Sequence, residues 1–511
     1  MSQEIKKIKT ALVSVYHKDG LDEILAMLHR DGVKFLSTGG TRSFIESLGY
    51  SCDAVENLTG YPSILGGRVK TLHPKVFGGI LNRRSLSEDQ AQIAQYDIPE
   101  IDLVIVDLYP FVDTVNSGAD NDAIIEKIDI GGISLIRAAA KNYNDVIIVA
   151  SKKQYAILAD MLHQHGATST LAERRLLARE AFAVSSGYDS AIFNYFDGDD
   201  EPSALRIAVD GKKKMRYGEN PHQQGYYFGE LEKMFEQHHG KEISYNNLLD
   251  IDAAVNLIGE FDGKPTVAII KHNNACGLAQ RDTIKQAWTD ALAGDPVSAF
   301  GGVIITNTTI DAETADEINK IFFEVIIAPA YSNEALDILK QKKNRIILVQ
   351  KCDISATMQF RSVLNGALLQ ERDTKAVNSA DEVKVVTKRT PTAGQLADLF
   401  FANKIVKQSK SNAIVLARDG QLLASGVGQT SRVDALRHAI AKAHSFGFDL
   451  KGAVMSSDAF FPFADCVEIA HEAGIEAVIH PGGSIRDNDS VEFCDTHNMT
   501  MVMTGIRHFK H

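Results

Sequence analysis

Short apolar runs alternate with amphipathic stretches from the start of the chain. Lys9 to Val15 reads as a β-strand, and Leu21, Ile24, Leu25 and Leu28 follow with the one-face spacing of a helix. A second strand, Val33 to Leu36, ends in Ser37-Thr38-Gly39-Gly40-Thr41, where glycines allow a tight turn and Thr41 is placed to cap a helix starting near Arg42. The alternation recurs with a strand at Ile101 to Tyr109, a helix around Ile133 to Lys141 and a strand at Asp145 to Ala150. This order predicts a parallel sheet in a doubly wound α/β domain. Helical patterning then dominates from Lys152 to Phe196 until the acidic, turn-rich run Asp197-Gly198-Asp199-Asp200-Glu201-Pro202-Ser203 breaks it. The expected organisation is a first domain over 1–196 and a linker over 197–204.

Beyond the linker, apolar runs at Thr266 to Ile270, Gly302 to Thr306, Ile346 to Val349, Ala413 to Ala417 and Ala453 to Ser456 alternate with helical stretches, again an α/β arrangement. Lys340 to Arg345 and Asp373 to Arg389 are polar and read as loops or a second linker. Two similar-sized α/β halves, 205–375 and 385–511, fit the lengths, although no repeat of fixed period stands out.

The 511 residues are 44% hydrophobic and 23% charged, enough for a large core divided among several domains. A formal charge of −12, from 54 basic and 66 acidic residues, argues against nucleic acid or an anionic membrane as partner. An anionic substrate has to be caught by a local cluster. Cys52, Cys276, Cys352, Cys466 and Cys494 are scattered, odd in number and never in a C-x-x-C pair, which excludes a disulfide scaffold or zinc ribbon and points to a reducing cytoplasm. The apolar stretch around Ala11 to Val15 is too short for a signal sequence, and nowhere do about 18 apolar residues run together.

Residues 66 to 74, Gly-Gly-Arg-Val-Lys-Thr-Leu-His-Pro, supply that cluster. Glycines let the backbone approach a ligand, while Arg68 and Lys70 bring charge and a forked donor set suited to phosphate; taken alone, the same residues also fit a solvated basic turn. Asp129-Ile130-Gly131-Gly132 offers a carboxylate and backbone donors at a helix start, either as an anion-receiving end or as an ordinary cap. Asp107-Leu108-Tyr109-Pro110-Phe111 ends a strand, the edge where open α/β sheets hold ligands, although Tyr109 equally fits a packing role. Later in the chain, Lys214 to Gln223 (K-M-R-Y-G-E-N-P-H-Q) follows neither helix nor strand periodicity and reads as a ligand-lining loop. Lys271-His272-Asn273-Asn274 follows a strand, and a cation beside an imidazole lowers its proton affinity, which suits a neutral base. Gly426-Val-Gly428-Gln-Thr-Ser431 looks like a truncated dinucleotide loop and raises a nicotinamide oxidoreductase as a rival, with the third glycine missing. A non-catalytic nucleotide sensor is a second rival.

Taken in order, Ser14-Val-Tyr-His-Lys18, the Ser37 to Thr41 loop, G-G-R-V-K-T-L-H-P, D-L-Y-P-F, I-D-I-G-G and A-A-A-K-N resemble the cyclohydrolase domain of the bifunctional AICAR transformylase/IMP cyclohydrolase family of purine biosynthesis. R-Y-G-x-N-P-H-Q, N-N-L-L-D, K-H-x-N, Ser411-Asn412, Gly428-Gln-Thr-Ser-Arg432, Ser457-Asp-Ala-Phe-Phe-Pro-Phe463 and the Arg507 to His511 terminus resemble its transformylase. The resemblance implies a methylglyoxal-synthase-like first domain and two tandem cytidine-deaminase-like units. It also implies two reactions: formyl transfer from 10-formyltetrahydrofolate to AICAR, then dehydrative closure of formyl-AICAR to IMP. Carried over by position, Lys18, Thr38, Gly39, Gly40, Arg68 and Thr71 would surround the nucleotide's phosphate or ribose, with Lys70, Tyr109, Asp129 and Lys141 around the reacting ring. For formyl transfer, His272 would be the base, Lys271 would stabilise developing charge and Asn412 would hold an oxygen. Arg216, Tyr217, Arg432, Phe460, Asp465, Arg507 and His511 would bind AICAR and folate, Asp465 being weighed against a helix-cap role.

Deaminases of that shape use zinc, but H-x-E and P-C-x-x-C are missing here, so no catalytic metal is expected; a monovalent cation is left open. The resemblance further implies a homodimer with transformylase sites at the subunit interface. Ala275 stands where bacterial relatives commonly carry proline.

Overall fold

The computed structural model describes residues 5–198 and 201–511, so Asp199 and Asp200 of the expected linker lie outside the described residues. The chain divides into two compact units, Met1–Val209 and Asp210–His511. No helix among the described residues is long and apolar enough to cross a membrane.

In the first unit, β1 (Thr10–Ser14), β2 (Lys34–Ser37), β3 (Cys52–Ala54), β4 (Leu103–Val106) and β5 (Ile147–Val149) form a parallel sheet in the order β3-β2-β1-β4-β5. Every residue of β4 is buried, as a central strand covered on both faces requires. Leu21, Leu25 and Leu28 pack on one face with Leu158 and Leu162, and Val76, Ile80, Leu135 and Ile136 pack on the other. The order reverses between β1 and β4, so their carboxyl ends open a crevice there.

Two expectations for this unit change. Thr41 does not cap a helix. The helix runs Gly39–Ser47 with Thr38 at its N-cap, and the buried Thr41 hydroxyl instead accepts from Val15 N–H at 3.1 Å and donates to Val15 O at 2.9 Å. The helical stretch 152–196 is interrupted by a short strand, Thr168–Ser169, between helices Tyr155–His165 and Leu171–Asp197. Thr170 and Glu173 restart the helix there with a reciprocal capping box.

The second unit is built on one twelve-stranded sheet. Its strands are β6 (Phe235–His239), β7 (Thr266–Lys271), β8 (Asn274–Gln280), β9 (Val303–Thr306), β10 (Val325–Ala328), β11 (Ile346–Gln350), β12 (Lys384–Val385), β13 (Ile414–Arg418), β14 (Gln421–Gly426), β15 (Val454–Ser457), β16 (Ala477–His480) and β17 (Thr500–Met503). They lie in the order β6-β11-β10-β9-β7-β8-β14-β13-β15-β16-β17-β12. Outward from the β8/β14 seam, each side repeats one plan: a hairpin, three mutually parallel strands and an antiparallel edge strand. Helices Tyr245–Ile258 and Ala393–Lys407 share a core on one face, where the Phe261 and Phe401 rings lie 5.5 Å apart. Clusters around Trp288 and around Met455 and Phe461 fill the opposite face of each half.

The duplication, expected as two tandem units although no repeat of fixed period stood out, is anchored by Ser244-x-x-Asn247-Leu-Leu-Asp250 and Thr392-x-x-Gln395-Leu-Ala-Asp398, 148 positions apart. Each starts its helix with a capping box. The polar stretch 373–389 is not wholly loop, since it supplies edge strand β12. An unanticipated hairpin, Met358–Val363 with Gly366–Glu371, exposes both of its strands.

Candidate active sites

The crevice between β1 and β4 holds a cavity of about 770 Å³. It collects Lys18, Thr38, Gly39, Gly40, Arg68, Lys70, Thr71, Tyr109 and Asp129 from five separate stretches of sequence. Asp107, just past β4, ties the two strand ends together: it accepts from the Tyr16 N–H and, at 2.9 Å, from the His17 N–H. Lys18 Nζ donates to Val15 O at 2.6 Å and Tyr16 O at 3.1 Å, and burial lowers its pKa against the pull of Asp107. No side chain caps the helix that begins at Gly39, which leaves its positive end facing the cavity. Gly66 and Gly67, at φ +67° and +94°, make the tight turn that presents Arg68 and Lys70.

On the opposite wall, Asp129 Oδ1 accepts from Gly132 N–H at 2.6 Å, and Tyr188 Oη clamps the loop by accepting from Asp129 N–H at 2.9 Å and donating to Lys127 O at 2.5 Å. Burial raises the Asp129 pKa, against backbone hydrogen bonds that lower it. The Tyr109 phenol is likewise pushed up, first by burial and then by Asp129, so it stays a proton donor at neutral pH. Of the carboxylates here, Asp107 is spent on backbone N–H groups and Glu126 on Arg68. Asp129 also accepts backbone N–H groups, but burial outweighs them and raises its proton affinity in a cation-rich cavity.

Lys141 is not brought in. It is exposed in the last turn of helix Gly131–Lys141, whose first turn lines the cavity, and eleven residues of α-helix rise about 15 Å. The A-A-A-K-N stretch follows helix periodicity and carries its lysine away from Lys70, Tyr109 and Asp129. Sequence reasoning passed over Lys127, whose Nζ lies 5.6 Å from the Tyr16 ring centre and 5.9 Å from that of Tyr109. It also passed over Asp107 and Tyr188. Asp107 stands inside the D-L-Y-P-F motif, whereas Tyr188 lies mid-helix with no local signal.

A Cβ on Gly67 would sit 2.8 Å from Lys70 Cε, and one on Gly132 would sit 2.6 Å from Asp129 Oδ2. Gly67→Ala and Gly132→Ala are therefore expected to displace those two groups and lower turnover in this cavity by tenfold or more, with the second unit's reaction unchanged. Steady-state kinetics on each half-reaction checks this.

In the second unit, Lys271-His272-Asn273-Asn274 is the two-residue turn of the β7–β8 hairpin, not merely a strand end. His272 and Asn273 both have positive φ, +50° and +65°, the pattern of a type I′ turn. Lys271 Nζ donates to Phe300 O at 2.9 Å and Gly301 O at 3.2 Å, and His272 is exposed. Asn274 joins the turn to the start of β13: its Nδ2 donates to His272 O at 2.9 Å and its Oδ1 accepts from Lys410 N–H at 3.1 Å. Asn412, two residues on, donates to Gln429 O at 2.9 Å.

Arg432 is largely committed to the protein. Four of the five N–H groups of a guanidinium go to Ser457 Oγ, Asn412 Oδ1, Asp458 Oδ1 and Phe460 O. It fixes the face of Asn412 more than it reaches outward. Asp465 is the first residue of its helix, with Ala464 at the N-cap, so it is not the cap residue. Phe460 is partly exposed beside Arg432. The Arg216–Tyr217 loop is held to helix Tyr245–Ile258 by Asn246, which donates to Glu219 O at 3.1 Å. At the terminus, the Arg507 guanidinium covers the Phe509 ring at 4.5 Å, and His511 O accepts from Arg361 at 3.1 Å.

The Gly426 to Ser431 segment is no dinucleotide loop. β14 is an antiparallel hairpin strand, and a Cβ on Gly426 would lie 1.9 Å from Ala435 O, so this glycine serves close helix packing.

Deeply buried His480 has its pKa pushed down to about 3 from 6.5, by burial and then by Arg432. It is neutral when folded and protonates more readily when unfolded, so its contribution to stability is present above pH 6.5 and drains away as pH falls toward 3. Thermal melts between pH 7 and 4 should show this loss, and His480→Gln should flatten it.

Two units, one with a cation-lined cavity at a sheet switch point and one whose lysine–histidine turn is tied through Asn274 to the segment carrying an oriented Asn412, define a bifunctional α/β enzyme. A family model described as AICARFT/IMPCHase bienzyme matches residues 139–442, and one described as MGS-like domain matches residues 20–134. The chain is 70% identical over 508 residues to the bifunctional purine biosynthesis protein PurH of Bacteroides thetaiotaomicron, covering 99% of this chain and all of that protein. It is 46% identical to the protein of the same name from Acetivibrio thermocellus, over 99% of this chain and all of that one. The Aquifex aeolicus protein of that name is 45% identical, over 98% of this chain and all of its own length. The chain belongs to the AICARFT/IMPCHase bienzyme family.

Proposed function

We propose that the Asp210–His511 unit transfers the formyl group of 10-formyltetrahydrofolate to the 5-amino group of AICAR, and that the Met1–Val209 unit closes formyl-AICAR to IMP with loss of water. In the first reaction the AICAR amine attacks the formyl carbon, an oxyanion forms, and the tetrahydrofolate nitrogen departs with a proton. The amine is conjugated with the carboxamide and weakly nucleophilic, so His272 takes its proton as the bond forms. Lys271, with one of three N–H groups beyond its two carbonyl partners, faces the oxyanion, and Asn412 holds an oxygen of AICAR or of the formyl group. Arg216, Tyr217, Phe460, Asp465, Arg507 and His511 contribute to binding AICAR and folate, and Arg432 acts chiefly by holding Asn412.

In the second reaction the carboxamide nitrogen attacks the formyl carbon. Asp129 accepts the nitrogen's proton, Lys70 and Tyr109 donate to the oxyanion, and the resulting carbinolamine loses water to complete the ring. Lys18, Arg68, Thr71 and the Thr38-Gly39-Gly40 helix start hold the phosphate and ribose. Neither step as written calls for a metal, and a monovalent cation is left open.

A homodimer fits the exposed hairpin at 358–371, where Phe360, Leu364 and Leu368 stand in solvent at 57%, 100% and 61% exposure. A cytoplasmic location fits the five unpaired cysteines. The two halves of the second unit fit the tandem deaminase-like arrangement.

What supports this reading is that one cavity is lined by Asp129, Lys70 and Tyr109 together, and that one hairpin turn carries His272 beside Lys271. Supplying AICAR and 10-formyltetrahydrofolate to purified protein should release tetrahydrofolate and IMP in equal amounts. AICAR binding with no turnover would favour the sensor reading instead.

A further inference from the structure

The two hairpins of the duplicated sheet are held by the same device. Asp398, six residues into helix Ala393–Lys407, accepts from Asp419 N–H at 2.8 Å and Gly420 N–H at 2.7 Å, the central residues of the β13–β14 turn. Asp250 occupies the same place in helix Tyr245–Ile258 and accepts from Asn273 N–H at 2.7 Å, with the His272 N–H as a second backbone donor. The turns are twins in backbone, with φ of +51° and +67° at Asp419 and Gly420 against +50° and +65° at His272 and Asn273. They differ in what the turn carries. Both place a residue with a side chain, Asp419 or His272, at the first left-handed position; at the second, one has glycine and the other Asn273, which reaches this region less readily than glycine.

A strained turn persists only where its surroundings over-determine it. Here they do so from two sides. Asn274 secures the His272 carbonyl, and Asp250 secures the N–H groups. The Asn273 side-chain amide, turned so that its nitrogen donates, adds contacts to Asp250 Oδ1 at 3.1 Å and Leu249 O at 3.0 Å. The carboxylate is partly buried and aimed at a backbone turn that its twin manages with glycine.

We infer that Asp250 is a positioning residue for formyl transfer, holding the strained 272–273 turn so that the His272 imidazole and the Lys271 ammonium meet the substrate together. This rests on the reading of His272 as the base. The loop of Arg216 and Tyr217 docks one helical turn earlier on the same helix, through Asn246, so this helix registers both segments.

The test compares Asp250→Ala with Asp398→Ala, which removes the same clamp from the Asp-Gly turn, and with Asp250→Ala/Asn273→Gly, which gives the first turn its own glycine. Asp250→Ala is expected to lower kcat for formyl transfer by tenfold or more with KM for AICAR changed less than threefold. Asp398→Ala should lower the melting temperature while kcat stays within about twofold of wild type. The double variant should recover most of the lost kcat, a rescue that a general packing role would not give. Cyclisation of supplied formyl-AICAR reports that each chain is intact, and Asp250→Asn, which keeps the shape and one acceptor, serves if the alanine variant does not fold. Equal losses of kcat in Asp250→Ala and Asp398→Ala, or no rescue by glycine, would overturn the inference. Retained formyl transfer in His272→Ala would instead overturn the assignment of the base.

Discussion

His272→Ala is expected to reduce formyl transfer by about a hundredfold or more, while closure of supplied formyl-AICAR proceeds at the wild-type rate. A positioned base commonly contributes between roughly 10² and 10⁴ in rate, and a hundredfold corresponds to about 2.7 kcal/mol of transition-state stabilisation. The loss should reach at least the lower end of that range, because the attacking amine is weak and no other imidazole lies in this turn. Its fold cost should be small: His272 is exposed and its backbone is held by neighbours rather than by its ring. Tetrahydrofolate release measured by absorbance gives the rate. An unchanged rate in natively folded protein would remove His272 from the chemistry.

The complementary result is expected from Lys70→Ala and Asp129→Asn, which should each cut closure to IMP by about a hundredfold or more and leave formyl transfer intact. The Asp129 prediction also carries a sign. Its pKa is raised by burial, so a rate that depends on the carboxylate rises with pH, and its half-point lies above the ordinary carboxylate range. Asp129→Asn should abolish that limb. Because Lys70 and Asp129 are proposed to act on the reacting ring rather than the phosphate, the KM for formyl-AICAR should shift less than kcat in both variants, whereas Arg68→Ala should act chiefly on KM.

Much of this architecture was readable before any coordinates. Runs such as Leu103-Val-Ile-Val106 declare central strands because a strand covered on both faces must be apolar throughout. The cation-bearing loop of the cavity was legible because glycines, a forked cation and a helix start occur together in a few residues. What escaped reading depended on partners distant in sequence. Thr41 looked like a cap, but a buried hydroxyl bonds whatever backbone packs against it, here Val15. Lys141 sits in the cyclohydrolase motif set, yet helix rise alone removes it from the cavity that begins at Gly131. The β7–β8 hairpin was hidden because its turn reads His-Asn rather than the glycine-bearing pair seen at Asp419-Gly420. The two halves were expected, but no fixed period stood out because few positions recur in sequence: the capping residues, Leu248 and Leu396, the two aspartates, and Gly277 and Gly426, each pressed against a helix carbonyl.

The division of chemistry between the two units is tested most directly by mixing. His272→Ala protein and Lys70→Ala protein, each unable to convert AICAR and 10-formyltetrahydrofolate to IMP alone, are combined in equal amounts with both substrates. IMP formation should return in the mixture, since each variant supplies the reaction its partner has lost. A mixture that stays silent, with both proteins folded and each retaining its own half-reaction, would contradict the account.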